Sequence, residues 1–431
     1  MKKRASLSLL LCMLLLCACG KTQSAPAAGN ENKAVRITLA GDTASVKGGG
    51  ASVNGSTVTV GSVGEYRLTG TLTDGQIVVD TGENAVDVTL VLDGADISNS
   101  AGPALWVKQA KNVHVVLAAN SQNRLASGVE ADLASYDESR SGAAVFSEDD
   151  LVFEGEGALA VYGYLNNGVT CKDDLKIKGG ALTVLSANNG VRASESIAVS
   201  GGALSVTAGN DGIKTSSDAK QGKGYIEISD GSIRVASGGD AIAAVTELRV
   251  TGGAIQTESR RELVTLASRK GLKAGTLLEI TGGSLEIRAD EDGLHCDGDV
   301  RVTGGSLYVA ASTGVQSGVK GSGVGDIALS GGSVFLSAAK QAMKAEGGLA
   351  VSGELLALCN SEKQAVPDAG GQAWLLAALE GSAGETLQIG GQSYSVPQRF
   401  TQLYFTAPGV AAGETLTVRL GERSYTQQAR Q

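Results

Sequence analysis

The sequence predicts an all-β protein, with a right-handed parallel β-helix over residues 36–353 and a small C-terminal β cap over residues 354–431. Three observations support this fold class. The chain has 61 glycines and only 5 prolines, a Gly-Gly dipeptide recurs between alternating apolar residues, and the recurrences are 22, 29, 22, 30, 22 and 27 residues apart. Six of these positions are Gly-Gly, at Gly179-Gly180, Gly201-Gly202, Gly252-Gly253, Gly282-Gly283, Gly304-Gly305 and Gly331-Gly332, and Asp230-Gly231 fills the seventh. A unit of about 22 residues, lengthened by loops, explains all six separations.

The N-terminal segment predicts export and lipid anchoring. Lys2, Lys3 and Arg4 precede an apolar run over residues 7–16, which is too short to span a bilayer and indicates a signal peptide over residues 1–18. The small residues before Cys19 are typical of bacterial lipoproteins, in which this cysteine is diacylated; simple secretion is the alternative. Two acyl chains give stable anchoring, and residues 19–35 then form a lipidated cysteine with a flexible tether. The expected location is extracytoplasmic, at the cell membrane or cell surface.

The charge balance and the cysteines narrow the classes of partner. Without residues 1–18, the chain has 33 basic and 45 acidic residues, a net charge of −12. Such a surface disfavours nucleic acid and favours a divalent cation. Cys171, Cys296 and Cys359 show neither a disulfide framework nor zinc spacing.

Each unit predicts one coil of the β-helix. Segments such as "LKIKGGALTVLSANNGVRA" are short alternating strands separated by glycine turns. Successive coils then stack about 4.8 Å apart, and the core forms only through stacking. A leucine-rich repeat has a similar unit length, but its leucine frame and asparagine are missing here.

The register of the units predicts which residues face inward. One apolar inward column runs through Val169, Val191, Ile213, Ile242, Leu272, Leu294, Val315 and Met343. A second, of small residues two positions later, contains Cys171 and Cys296, which predicts that both cysteines are buried packing residues.

Between these columns lies an outward column rich in basic residues. Its candidate carbohydrate-binding residues are Arg192, Lys214, Lys273, His295 and Lys344. Like charges at strand spacing repel and need a compensating partner. Two partners remain open at this point: carboxylates in the neighbouring turns, or an acidic polymer bound along the column.

Acidic residues recur at the coil turns and predict calcium binding. The candidate metal ligands are Asp173, Asp174, Asp211, Asp240, Asp290, Glu291 and Asp292. Stacked carboxylates raise one another's pKa, and calcium relieves this by taking six to eight oxygen ligands. The structural alternative is an Asx-turn, since Asp and Asn before Gly also cap their own backbone.

From about residue 37 to the C-terminus, the chain resembles a family of bacterial surface lipoproteins with a carbohydrate-binding, calcium-dependent parallel β-helix. The resemblance rests on fragments in order, including "GEYRLTGTLTDGQIVVD", "NNGVTCKDDLKIKGGALTV", "DEDGLHCDGDVRVTGGSL" and "FTAPGVAAGETLTV". It implies binding of acidic plant polysaccharide, chiefly polygalacturonate, and of cellulose. "EDGLH" keeps the family's acidic pair before Gly, with His295 two residues later, whereas Asn188-Asn189 and Ser312-Thr313 lack both acids.

The sequence therefore predicts a non-catalytic, calcium-dependent binder of an acidic cell-wall polysaccharide, attached to the membrane only through its lipid. The first alternative is a pectate-lyase-like enzyme, in which calcium acidifies a proton that a Lys or Arg removes. Lys214, Lys273 and Arg192 are the candidate bases, but they form a ladder and do not lie singly in an acidic cluster. The second alternative is a structural or adhesive surface protein that binds no sugar.

Overall fold

The computed structural model describes residues 34–83, 85–130, 142–260, 268–361, 366–368 and 371–431. The predicted all-β parallel β-helix is confirmed: these residues contain no α-helix and form a parallel β-solenoid of about 11 turns. The described ranges contain no helix that is long and apolar enough to cross a membrane. The predicted signal peptide, Cys19 and nearly all of the tether lie outside them.

Each coil has three faces, named here face 1, face 2 and face 3 in chain order. Face 1 is, within the described residues, a 13-stranded sheet whose strands are all parallel except the first. Its strands are β3 (Ala51–Asn54), β4 (Thr57–Val60), β6 (Gln76–Asp80), β8 (Leu105–Gln109), β11 (Ala143–Ser147), β14 (Asn167–Cys171), β17 (Val191–Ala193), β19 (Ile213–Thr215), β21 (Ile242–Ala243), β24 (Leu272–Ala274), β27 (Asp292–Cys296), β29 (Thr313–Ser317) and β31 (Met343–Ala345).

Faces 2 and 3 share one larger sheet, because several strands continue around the corner between them. The strands on face 2 alone are β9 (Asn112–Leu117), β12 (Asp150–Gly155), β15 (Asp174–Ile177), β22 (Glu247–Val250), β25 (Leu277–Ile280) and β32 (Leu349–Val351). Those on face 3 alone are β10 (Gln122–Ser127), β13 (Ala158–Gly163), β16 (Ala181–Ser186), β23 (Ala254–Ser259), β26 (Ser284–Ala289) and β33 (Glu354–Cys359). Strands on both faces are β5 (Gly64–Leu72), β7 (Val88–Asn99), β18 (Ser196–Ala208), β20 (Tyr225–Ser237), β28 (Asp299–Ala311) and β30 (Ile327–Ala338), and β1 (Val35–Gly41) with β2 (Thr43–Lys47) starts the sheet.

The recurring Gly-Gly forms the corner between faces 2 and 3. The second glycine of every recurrence has a positive φ, from +74° at Gly332 to +106° at Gly231. This is the left-handed region, which residues with a Cβ rarely adopt. The strict recurrence of glycine therefore follows from the backbone geometry of one corner.

The predicted inward columns on face 1 pair in register from coil to coil. Val191 pairs with Ile213, and Leu272 pairs with Leu294. These apolar residues are buried and belong to one continuous core that runs the length of the solenoid. Cys171 and Cys296 are buried in the small-residue column, as the register predicts.

Burial makes the cysteine thiols weak acids. It raises the pKa of Cys171 to about 12 and that of Cys296 to about 11, and it also raises the pKa of Cys359. Because the thiolate is the reactive form, we expect the chain from Lys21 onward not to react with an aromatic disulfide reagent at neutral pH. All three thiols should react after unfolding in guanidinium. Rapid labelling of the native protein would contradict this burial.

After β33 the chain changes from parallel to antiparallel pairing. β37 (Phe400–Thr406) lies between β33 and β34 (Leu375–Gly381), antiparallel to both. A four-stranded antiparallel sheet follows, made of β35 (Thr386–Ile389), β36 (Gln392–Ser395), β38 (Thr415–Leu420) and β39 (Arg423–Gln428). These strands have a small core of their own, and they cover the last strand of face 3, whose open edge would favour aggregation.

Candidate functional site

The outward column of face 1 has the register that the sequence predicts. Arg192 pairs with Lys214, and Lys273 pairs with His295, on directly neighbouring strands. Lys344 pairs with Gln316 at the C-terminal end of the column. The five candidate carbohydrate-binding residues therefore lie in one line along the solenoid, while their sugar binding stays a prediction.

Four of these five residues have intramolecular partners. Lys214 Nζ lies 2.6 Å from Asp211 Oδ2, and Lys273 Nζ lies 3.2 Å from Asp240 Oδ2. His295 lies between two carboxylates, with Nδ1 2.8 Å from Asp292 and Nε2 3.2 Å from Asp297. Lys344 Nζ is 3.3 Å from Gln316 Oε1 and 3.9 Å from Glu346. Of the two compensating partners left open by the sequence, neighbouring carboxylates thus neutralise most of the column.

Arg192 is the exception. Its backbone belongs to β17, but its guanidinium makes no hydrogen bond or ion pair with any side chain in the described part of the chain. Its column continues toward the N-terminus through Thr170, Phe146 and Trp106 on successive strands. The ammonium group of Lys172 lies 5.9 Å from the centre of the Phe146 ring. Face 1 therefore presents an unpaired guanidinium and two half-buried aromatic rings in one outward column, with Thr170 between the guanidinium and the nearer ring.

The acidic turn residues form a hydrogen-bonded ladder between coils. Asn167 Oδ1 accepts the backbone N–H of Asn189, and Asn189 Oδ1 accepts that of Asp211, at 3.0 and 3.3 Å. Asp211 Oδ1 then accepts the N–H of Asp240, and Asp240 Oδ1 that of Lys270, both at 2.8 Å. Asp211 and Asp240 therefore each accept a hydrogen bond from the next coil with one carboxylate oxygen and pair with a lysine through the other. Asn167 and Asn189 accept the same kind of hydrogen bond from the next coil at the corresponding turns.

The three acids at residues 290–292 are also paired. Asp290 lies 3.4 Å from Arg269, and Glu291 lies 3.1 Å from Lys270. Burial acts to raise the pKa of Asp292, but the hydrogen bond and charge of His295, the charge of Lys270 and a hydrogen bond with Thr313 together hold the pKa below the ordinary value. The predicted calcium ligands Asp211, Asp240, Asp290, Glu291 and Asp292 each have a basic partner in the protein, and their role as ligands stays a prediction.

A different acidic cluster forms at the edge between faces 1 and 2. Within the described ranges, Asp150, Asp173 and Asp174 form the only group of three or more His, Cys, Asp or Glu residues whose potential metal-ligating atoms all lie within 4.8 Å of one another. We call these residues the acidic triad. Burial raises the pKa of Asp150. Burial, the hydrogen bond to Glu195 and the charges of Glu195 and Asp150 raise the pKa of Asp173 to about 6.

Two lysines from a distant loop lie on this cluster. Lys223 Nζ is 2.8 and 2.6 Å from the two oxygens of Asp174 and 3.3 Å from Glu195. Lys220 contacts Glu195 and lies 3.8 Å from Asp173. The sequence indicated no isolated basic residue inside a clustered acidic site, and the structure places a pair of lysines, Lys220 and Lys223, at one. Lys220 and Lys223 lie in a loop that is inserted between β19 and β20, so the repeat pattern does not predict where they lie.

The triad has the donor chemistry that calcium requires. Three carboxylates supply hard oxygen atoms, and neighbouring turn carbonyls or water complete such sites in proteins. Burial, together with the charges of neighbouring carboxylates, raises the pKa of Asp150 and of Asp173 and so disfavours their charged forms when no cation is bound. The residues present therefore fit a calcium ion, which Asp150, Asp173 and Asp174 would hold.

The same two lysines are poorly suited to act as general bases. Hydrogen bonding to Asp174 raises the pKa of Lys223 far above its ordinary value, and hydrogen bonding to Glu195 raises that of Lys220. A catalytic base works best when its pKa is near the working pH. Both ammonium groups are therefore held in their protonated form by these carboxylates.

Comparison with known proteins identifies the family. A sequence model of carbohydrate-binding domain-containing proteins matches residues 54–318. A protein of Acetivibrio thermocellus described in the same words is 36% identical over 135 residues, which are 31% of this chain and 47% of that protein. The chain thus matches about half the length of this curated relative.

A solved structure, a gadolinium derivative of the polysaccharide lyase-like protein from C. thermocellum, is 29% identical to this chain with a TM-score of 0.50. The similarity covers 64% of this chain and all of that one. The fold of the solenoid is therefore shared with a protein whose description is lyase-like. Because the family model matches more than half of its residues, the chain belongs to the family of carbohydrate-binding domain-containing proteins.

Proposed function

We propose that the protein is a non-catalytic, calcium-dependent binder of an acidic polysaccharide of the polygalacturonate type, exposed at the bacterial surface on a lipid anchor through Cys19. The observation that carries the proposal is that the acidic triad and Arg192 lie on neighbouring coils at the same side of the solenoid. Arg192 lies on β17, which is paired directly with β14, and the triad residues Asp173 and Asp174 follow β14.

This arrangement suits a sugar carboxylate. A calcium ion held by the triad would take a uronate oxygen as a further ligand. The unpaired guanidinium of Arg192 can donate two parallel hydrogen bonds to a second carboxylate. Phe146 and Trp106 on the same column offer apolar ring faces against which sugar rings can pack. The paired lysines farther along face 1 contribute less, because an acidic chain has to displace their own carboxylates.

We expect polygalacturonate gels to retard the protein from Lys21 onward in the presence of calcium and not in the presence of a chelator. The triple variant Asp150→Asn, Asp173→Asn, Asp174→Asn should lose most of the calcium-dependent retardation, since it removes the only described group of three neighbouring carboxylates. The matched control is Asp290→Asn with Glu291→Gln, which removes predicted ligands elsewhere and should behave as wild type.

Three results would count against the proposal. Equal mobility with calcium and with chelator would exclude calcium-dependent binding of polygalacturonate. Loss of retardation in the control and not in the triple variant would move the calcium to the turns at residues 290–292. Unretarded migration in every acidic polymer tested would favour the structural or adhesive alternative.

The lyase-like description of the solved relative makes a polysaccharide lyase the second candidate function. Cleavage by elimination creates an unsaturated sugar that absorbs ultraviolet light. We expect no increase in absorbance when the protein is incubated with polygalacturonate and calcium, because Lys220 and Lys223 stay protonated. A steady increase that Lys223→Met abolishes would establish the enzyme and overturn the binder.

A further inference from the structure

Face 3 carries a groove that lies apart from the triad and the basic column. It consists of four adjoining concavities of about 160, 270, 610 and 770 Å³, and each concavity shares lining residues with the next. The two smallest share Arg234, Gln256 and Glu286, the next pair shares Glu286 and Arg288, and the two largest share Arg288. They therefore form one groove along the solenoid axis, and at about 4.8 Å per strand it extends roughly 19 Å from β18 to β28.

The groove is polar but carries balanced charge. Its guanidinium groups belong to Arg234, Arg260 and Arg288, and its carboxylates to Glu258, Glu286 and Asp290. Arg288 lies 2.8 Å from Glu286, and Arg260 lies 2.5 Å from Glu258. Gln256 also donates to Glu286, at 3.2 Å. Three positive and three negative groups leave no net charge to attract an acidic polymer.

An aromatic cluster marks the C-terminal end of the groove. The Tyr308 ring lies 5.3 Å below the guanidinium of Arg288 and 5.4 Å from the Phe335 ring, edge-on. Phe335 in turn lies 5.5 Å from Tyr394, a residue of the C-terminal cap. Aromatic residues beside hydrogen-bonding groups are the combination that sugar rings require, since each ring has an apolar face and a polar rim.

The cap closes the groove at this end. Gln398 Nε2 donates to Ser337 Oγ at 3.2 Å, and Tyr394 Oη donates to Glu354 at 3.2 Å, so the segment 392–398 lies over β30 and β33. In the other direction the same outward column continues through Thr183 and Ala160, which are small. The groove is thus blocked beyond β28 and bordered by small side chains toward β13.

We propose that this groove is a second carbohydrate site, which takes the end of an uncharged glycan chain with its terminal sugar against the cap. Paired Arg, Glu and Gln side chains at strand spacing can donate to and accept from successive hydroxyl groups without favouring a charge. Tyr308 supplies the apolar contact at the closed end. A groove blocked on one side accepts a chain terminus but not the middle of a long chain.

The test is calorimetric titration of the purified protein, in the presence of chelator, with three linear neutral probes: cellohexaose, xylohexaose and mannohexaose. At least one should bind to wild type. Glu286→Gln and Tyr308→Ala should each lower the affinity for that probe about tenfold, which is the effect of losing a hydrogen bond to a charged group or a contact with an aromatic ring. Glu279→Gln is the matched control, because it changes the same type of residue on face 2 of the neighbouring strand β25. It should bind as wild type does.

Chain-end recognition is tested by competition with a long soluble polymer of the same sugar. The polymer should compete in proportion to its number of chain ends, and competition in proportion to its mass would overturn the terminal placement. Failure of all three probes, or equal binding by Glu286→Gln, Tyr308→Ala and Glu279→Gln, would overturn the site itself. Retardation in polygalacturonate by these variants reports separately on face 1, so either proposal can fail without the other.

Discussion

Asp240→Ala is expected to lower the free energy of unfolding by about 1–3 kcal/mol, the usual cost of leaving buried hydrogen-bond donors without their acceptor. The Asp240 side chain is only 5% exposed. Its Oδ1 accepts the N–H of Lys270 and the hydroxyl of Ser268, both at 2.8 Å, and its Oδ2 pairs with Lys273. Truncation leaves all three donors without this acceptor inside a tightly stacked coil. Guanidinium unfolding followed by circular dichroism measures the loss.

Asp240→Asn is the matched control for this substitution. Its amide oxygen can still accept the Lys270 N–H, as Asn189 does for Asp211 two coils earlier, so only the charge is lost. We expect this variant to lose less than half as much stability as Asp240→Ala. Calorimetric titration with calcium adds a second measurement: an unchanged titration supports a purely structural role, whereas a lost binding event would establish Asp240 as the calcium ligand that the sequence predicts. Equal destabilisation by both variants would contradict the ladder.

Gly212→Ala is expected to cost about 1–3 kcal/mol or more, the usual range for overpacking a dense core. A Cβ at this position would lie 2.2 Å from Val235 Cγ1 and 2.5 Å from the carbonyl oxygen of Ala241. The clash does not arise from backbone strain, because Gly212 is absent from the glycines with positive φ. It arises because the next coil approaches closely at this column. The measurement is again the free energy of unfolding in guanidinium.

Gly49→Ala is the control, since a Cβ there meets no atom within 4 Å and the φ of Gly49 is not positive. This variant should be as stable as wild type or slightly more stable, because alanine reduces the entropy of the unfolded chain. If Gly212→Ala were equally neutral, neighbouring coils would have to be able to move apart at little cost.

The repeat made the fold predictable from sequence, and it did so for a physical reason. A corner that needs a left-handed backbone selects glycine in every coil, and stacking in register selects the same class of residue at each inward position. Residues such as Val191 and Cys296 could therefore be placed without coordinates. The basic column was aligned correctly by the same argument.

The sites were less predictable, because their contacts do not follow the repeat. Lys223 reaches Asp174 across 49 residues through a loop that interrupts the unit. Asp150 joins the acidic triad from the preceding coil, where Glu148, Asp149 and Asp150 occupy the turn that corresponds to Asp173 and Asp174, so the repeat itself could have predicted this residue. The groove on face 3 depends on the cap, since Tyr394 and Gln398 close it, and nothing in the repeat specifies where the cap folds back.

The direction of the interstrand hydrogen bonds has a mechanical consequence. These bonds run along the solenoid axis, and the chain enters at one end with β1 and reaches the other end with β33. A tensile load between the two ends therefore pulls each bond along its own length and acts first on a terminal coil. The coils would detach in succession, each releasing about 22 residues and roughly 75 Å of extended chain. Under a steady pull such a molecule would lengthen in small steps at nearly constant force.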